Sequence, residues 1–152
     1  MPKNDNIVII TACGNSKEEV SKKAGNLYKS SRIRHLYNRS KELGVPLYIL
    51  SAKYGLVNSE EIIEPYDEVM TKEKALELKS SVKETLEEFE YAILYEGGAR
   101  IEYRDLIYDI AEELGLKLIK FGYKNMGDIG KLDGILTGVY DAITNQRNVG
   151  EI

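Results

Sequence analysis

Cys13 and Lys17 stand four residues apart in the turn Cys13-Gly14-Asn15-Ser16-Lys17, directly after the apolar run 7–12. A thiol attacks as the thiolate, and a nearby ammonium favours that form. Gly14 lets a ligand or another backbone approach closely. Ser16, Lys17 and the N–H groups of the turn can cradle an anion, although a single glycine falls short of P-loop spacing. The opposing expectation is a Cys13 that packs as a small hydrophobe.

A second apolar run ends at Ser51-Ala52-Lys53-Tyr54-Gly55. There Ser51 can donate a hydrogen bond, Lys53 can supply charge or acid–base chemistry, and Tyr54 can stack on a base or sugar. The plainer expectation is a core Tyr54 beside a Gly55 that permits a positive φ. With 11 Tyr against 2 Phe, each single tyrosine is weak evidence. Gly97-Gly98 followed by Arg100 reads as a phosphate site at a helix start, or as a simple turn. Asp67, after Pro65-Tyr66, is the acidic candidate, as a general base, a ribose ligand or a turn cap.

The elements that must position these groups follow from periodicity. Residues 6–13, 45–52, 91–95 and 117–121 are continuous apolar runs bounded by glycines or polar turns, the pattern of strands buried on both faces. Helices fill the intervals. Ser30 or Ser31 opens one that buries Ile33, Leu36, Tyr37 and Leu43 and ends at Gly44. Another starts near Thr71 and buries Ala75, Leu78, Val82 and Leu86; a third buries Tyr103, Leu106, Ile107 and Ile110 up to Gly115. A last helix buries Leu132, Leu136, Val139 and Tyr140, with 145–152 expected as a frayed tail. Strands alternating with helices give a three-layer α/β sandwich, Rossmann-like or flavodoxin-like, with a mostly parallel sheet of about four strands. The segment 56–71 has no clear period and is expected as a long functional loop.

A chain of 152 residues with 43% apolar content fits one domain, 1–152. One cysteine excludes an internal disulfide, and one His with one Cys makes no metal cluster, so neither metal nor cofactor is expected. His35, on a helix, has nothing that places it beside the thiol as a base. The apolar run near the N-terminus is too short for a signal or a membrane span, which points to a cytoplasmic protein with no membrane partner. Charge is uneven: residues 1–55 carry net +6 and residues 56–152 net −10. Lys22, Lys23, Lys29, Arg32, Arg34 and Arg39 crowd the basic half, either as a cationic site or as a solvated helix face.

In order along the chain, Cys13-x-x-x-Lys17, Leu27-Tyr28-x-Ser30, Leu50-Ser51-Ala52-Lys53-Tyr54-Gly55-Leu56 and Pro65-Tyr66-Asp67 resemble the YaaA-like superfamily, in its small single-domain branch. The likeness covers roughly the first seventy residues, and is more distant to the archaeosine synthase core domain. The resemblance implies a shared cleft for a nucleotide, nucleobase or nucleic-acid end, and adds Tyr28, Ser30 and Tyr66 to the site. The expected function is therefore modification of such a substrate. Lys17 and Arg100 hold an anionic group, Tyr54 or Tyr66 stacks, Cys13 or Asp67 reacts, and Ser51 orients. The rival expectation is a non-catalytic DNA-binding protein of the stress-response type. The sequence leaves the oligomeric state open.

Overall fold

The strand β1 (Ile7–Ala12) is buried along its whole length, as a parallel strand covered on both faces must be. The computed structural model describes residues 6–14, 16–122 and 130–150, the last six of these by backbone alone. β1 sits at the centre of a five-stranded sheet. On one side it pairs in parallel with β3 (Leu47–Ser51), with Thr11 opposite Ile49. On the other it pairs in parallel with β6 (Tyr91–Tyr95), with Thr11 opposite Tyr95. β7 (Lys117–Phe121) extends the sheet beyond β6, and β4 (Gly55–Asn58) closes the other edge by pairing antiparallel with β3.

Alternation along the strands divides the core. Ile7, Ile9, Leu47 and Ile93 face α2 (Ser31–Leu43) and α5 (Leu132–Gly150), while Val8, Ile10, Ala92 and Leu94 face α3 (Lys72–Leu86) and α4 (Ile101–Leu114). Each fully buried Ile, Leu or Val contributes about 1.5–3 kcal/mol, so both faces hold the helices firmly. Helix ends follow the sequence signals: Ser30 Oγ accepts from Ile33 N–H at 3.3 Å, Thr71 Oγ1 from Lys74 N–H at 3.1 Å, and Gly44 and Gly115 close α2 and α4 in left-handed backbone. No helix among the described residues is long and apolar enough to cross a membrane.

The three-layer sandwich is thus present, with differences. The sheet has five strands, because the expected loop 56–71 begins with β4, whose four residues are too few to show a period. The same segment holds β5 (Ile62–Ile63), paired antiparallel with β2 (Lys22–Lys23); β2 leads into the one-turn helix α1 (Ala24–Leu27). The expected frayed tail is also corrected. α5 continues to Gly150, and 151–152 lie outside the described residues.

Strand order fixes where a ligand fits. The four parallel strands lie in the order β3-β1-β6-β7, so the chain reverses its direction of travel across the sheet between β1 and β6. In open α/β sheets the crevice beyond the carboxyl ends at such a reversal is the usual ligand site.

Candidate functional site

Cys13 leaves β1 at this reversal, its N–H still bonded to Leu50 O at 3.0 Å. Its Sγ lies 3.1 Å from the hydroxyl of Tyr103 in the first turn of α4. Tyr66, from the segment between β5 and α3, packs with Cys13 against the cluster of Ala24, Leu27 and Ile49. Behind Tyr66 stands a buried relay. Tyr66 Oη is 2.6 Å from Tyr28 Oη and accepts from Ser51 Oγ at 2.8 Å. Ser51 in turn accepts from the N–H groups of Lys53 and Tyr54 at 3.1 and 3.0 Å. A hydroxyl with both lone pairs filled has one proton left to give, so the turn after β3 orients Ser51 toward Tyr66.

The tyrosines are held as donors. Burial first, and then negative charge at Cys13, pushes the Tyr66 and Tyr103 hydroxyls well above the usual tyrosine range. Burial raises Tyr28 as well. Groups that keep their protons can direct them at a sulfur or at an oxygen gaining charge beside it.

Two cations flank the thiol and a third backs Tyr66. Lys17 is pinned by a bridge to Tyr28, and its Nζ lies 4.3 Å from the Tyr66 ring centroid. Arg32, in the first turn of α2, crosses the strand ends: Nη1 donates to Gly97 O at 2.5 Å and Nη2 to Ala12 O at 3.2 Å. Arg100, exposed, is the N-cap of α4. Cys13, Gly14, Arg32, Gly98, Arg100 and Tyr103, with Val69 on the rim, enclose a pocket of about 270 Å³. Two other cavities are larger. One of about 300 Å³ lies between Leu76 on α3 and Ile101 on α4, and one of about 370 Å³ lies beside Tyr48 and Glu84. Neither contains a nucleophile next to an orienting network, so the smaller pocket is the better chemical candidate. Among the described residues no group of three His, Cys, Asp or Glu side chains could hold a metal.

The structure thus brings together Cys13, Gly14, Lys17, Tyr28, Ser51, Tyr66, Gly98 and Arg100, from the ends of β1, β3 and β6 and the loops beyond them. Tyr54 borders them, its ring edge-on to Tyr66 at 5.5 Å and its hydroxyl donating to Glu64 O. Other candidates stand apart or serve the frame. Asp67 is exposed, and so is Lys53, whose Nζ lies 5.2 Å from the Tyr54 centroid. Ser16 is exposed, with its carbonyl accepting from Lys29 N–H, and Ser30 is a helix cap. Gly55, at φ +78°, sits under α3, where a Cβ would come 3.1 Å from Ser81 Oγ. Asn15 lies outside the described residues.

Gly97 and Gly98 receive Arg32, one through its carbonyl and the other by leaving space: a Cβ on Gly98 would fall 2.1 Å from Arg32 Nη1. Arg32 was expected only as one member of a run read either as a cationic site or as a solvated helix face, and Tyr103 was not expected in the site. The first was one charge in a basic run and the second one ring in an apolar stripe; the polar hydroxyl of a tyrosine on such a stripe is the one signal by which it could have been found. The basic run itself is dispersed by ion pairs, Lys23 with Glu60 at 2.9 Å, Arg34 with Glu18 at 3.3 Å, and Arg39 with Glu42 and Asp133.

The profile of the family of unknown function DUF6884 matches residues 8–114, more than two thirds of the chain. The chain belongs to that family. No curated protein and no solved structure matches it. The DUF6884 span runs from β1 to the end of α4, and every residue of the thiol pocket and its tyrosine relay falls inside it; β7 and α5 lie beyond.

Proposed function

We propose that this DUF6884 protein is an enzyme that modifies a nucleotide, a nucleobase or a nucleic-acid end, with Cys13 as the nucleophile. The observation that carries the reading is the thiol 3.1 Å from the Tyr103 hydroxyl at the mouth of a cationic pocket, with Tyr66 and its bonds to Ser51 and Tyr28 packed beside it. Sγ, its proton lost to solvent, attacks an electrophilic substrate atom as the thiolate, and the electron pair displaced from that atom's bond settles on an oxygen or nitrogen within reach of the tyrosine donors. They stabilise this charge while keeping their protons. Lys17, Arg32 and Arg100 favour an anionic substrate, and Tyr54 offers an aromatic surface for a base. The resemblance to the YaaA-like superfamily at Cys13, Lys17, Ser51 and Tyr66 supports the nucleotide class.

Pairing of Lys23, Arg34 and Arg39 with carboxylates leaves less of a continuous cationic face than duplex DNA requires, which favours the enzyme over a DNA-binding module. Incubation with a mixture of nucleotides and nucleobases, followed by intact-mass measurement, tests the reading. A covalent adduct or product formed by the wild type and absent from Cys13→Ala is expected. DNA binding that weakens steeply with salt and survives Cys13→Ala, with no adduct and no turnover, would replace the enzyme by the binding module.

A further inference from the structure

The pocket beside Cys13 carries two guanidinium groups and no carboxylate among its lining residues. Arg32 is half-buried, and no carboxylate among the described residues lies within ion-pair distance of it. Burial accordingly holds its pKa below the usual arginine value. Of its five N–H groups two are spent on Ala12 O and Gly97 O, and its buried Nε has no acceptor. A half-buried cation without a counter-charge is costly, and a bound anion is what would offset that cost. Arg100 stands across the pocket, its exposed guanidinium paired among the described residues with Glu102 at 3.4 Å. It precedes an α4 N-terminus that no side chain caps, so the positive end of that helix opens beside it.

We propose that Arg32 and Arg100 form a subsite for a phosphomonoester dianion, placed so that the group esterified to it extends over Cys13 toward Tyr66 and Tyr54. Two guanidinium charges and a helix N-terminus match a dianion better than the single charge of a phosphodiester. The volume of about 270 Å³ falls at the lower edge of ligand pockets, enough for a phosphate and the start of its ester but not for a whole nucleotide. The inference shares its pocket with the proposed function, but anion binding is measurable without turnover.

Calorimetric titration supplies the test, with inorganic phosphate, a nucleoside 5′-monophosphate, its 3′,5′-cyclic diester, the parent nucleoside, and oligonucleotides ending in 5′-phosphate or 5′-hydroxyl. The monophosphate is expected to bind about tenfold or more tighter than the nucleoside and the cyclic diester, and Arg100→Gln to remove most of that difference. Inorganic phosphate is expected to slow alkylation of Cys13 in the wild type and not in Arg100→Gln. Arg100 is exposed, so this variant keeps the fold even where Arg32→Ala does not. Tighter binding of the 5′-phosphorylated oligonucleotide than of the mononucleotide identifies a nucleic-acid end as the source, and the reverse order a free nucleotide. Equal binding of nucleoside and monophosphate, or full discrimination retained by Arg100→Gln, would overturn the subsite. Phosphate discrimination together with wild-type turnover by Cys13→Ala would instead retain the subsite and refute the nucleophile.

Discussion

Gly98→Ala is the sharpest probe of how the pocket is built. Gly98 has φ +74°, and an added Cβ would fall 2.1 Å from Arg32 Nη1. Left-handed backbone costs a residue with a side chain roughly 1–2 kcal/mol. Arg32 must also withdraw, losing its 2.5 Å bond to Gly97 O, and a bond from a charged donor is worth about 1.5–3 kcal/mol. The expected loss is therefore roughly 2.5–5 kcal/mol. Gly115→Ala is the matched control, since Gly115 has φ +67° but nothing within 4 Å of its Cβ position. It should show the backbone cost alone, about 1–2 kcal/mol.

Urea unfolding of Gly98→Ala, Gly115→Ala, Arg32→Ala and the Gly98→Ala/Arg32→Ala pair completes the measurement. Once Arg32 is truncated nothing opposes the new methyl group, so the cost of Gly98→Ala should fall to that of Gly115→Ala. The coupling energy should be about 1.5–3 kcal/mol. If Gly98→Ala costs the same with and without the Arg32 guanidinium, the two residues are not in contact and the account of the pocket fails.

Tyr66→Phe keeps the ring under Lys17 but strands the buried Ser51 and Tyr28 hydroxyls; a loss of about 1–3 kcal/mol by urea unfolding is expected, and a neutral result would mean that the relay is not closed. Tyr37 has its pKa raised to about 12, by burial and then by its bond to Glu60, so its unfolded form ionises near pH 10 while the folded form keeps its proton. Its contribution is fully present below pH 10 and is lost as pH rises toward about 12, so Tyr37→Phe should flatten the fall of stability in that window; an unchanged slope would refute the assignment. Thr71→Ala removes the side-chain cap of α3 and should cost about 1 kcal/mol, with Thr71→Ser restoring most of it; equal stability of all three would mean that α3 starts elsewhere.

The parts of the fold that sequence revealed are those with enough residues to show a period. Ile33, Leu36 and Tyr37 on α2, and Val82 and Leu86 on α3, are buried as their spacing requires, and Gly44 and Gly115 stop helices where expected. β4 was hidden because Gly55–Asn58 is an edge strand of four residues, and the two-residue strands β2 and β5 carry no pattern at all. In the candidate site, Cys13 and Ser51 were legible from the rule that ligands gather beyond strand ends, and Tyr66 only from the resemblance to the YaaA-like superfamily. Arg32 could not be singled out from its basic run, because a basic residue in the first turn of a helix already has an ordinary explanation as a solvated charge.

What Arg32 does depends on strand order, which local sequence does not encode. β1 and β6 are nearly eighty residues apart along the chain, and only their pairing brings Ala12 O and Gly97 O to the two ends of one guanidinium. The same pairing brings Tyr103, at the start of the helix after β6, against Cys13 at the end of β1. A cation and a hydroxyl donor are therefore delivered to the thiol by one topological event, the insertion of β6 beside β1. Cys13, with Gly14, supplies only one wall; the pocket becomes a charged, oriented cavity when the chain returns across the sheet, which is why its most informative residues lie outside the turn that announced it.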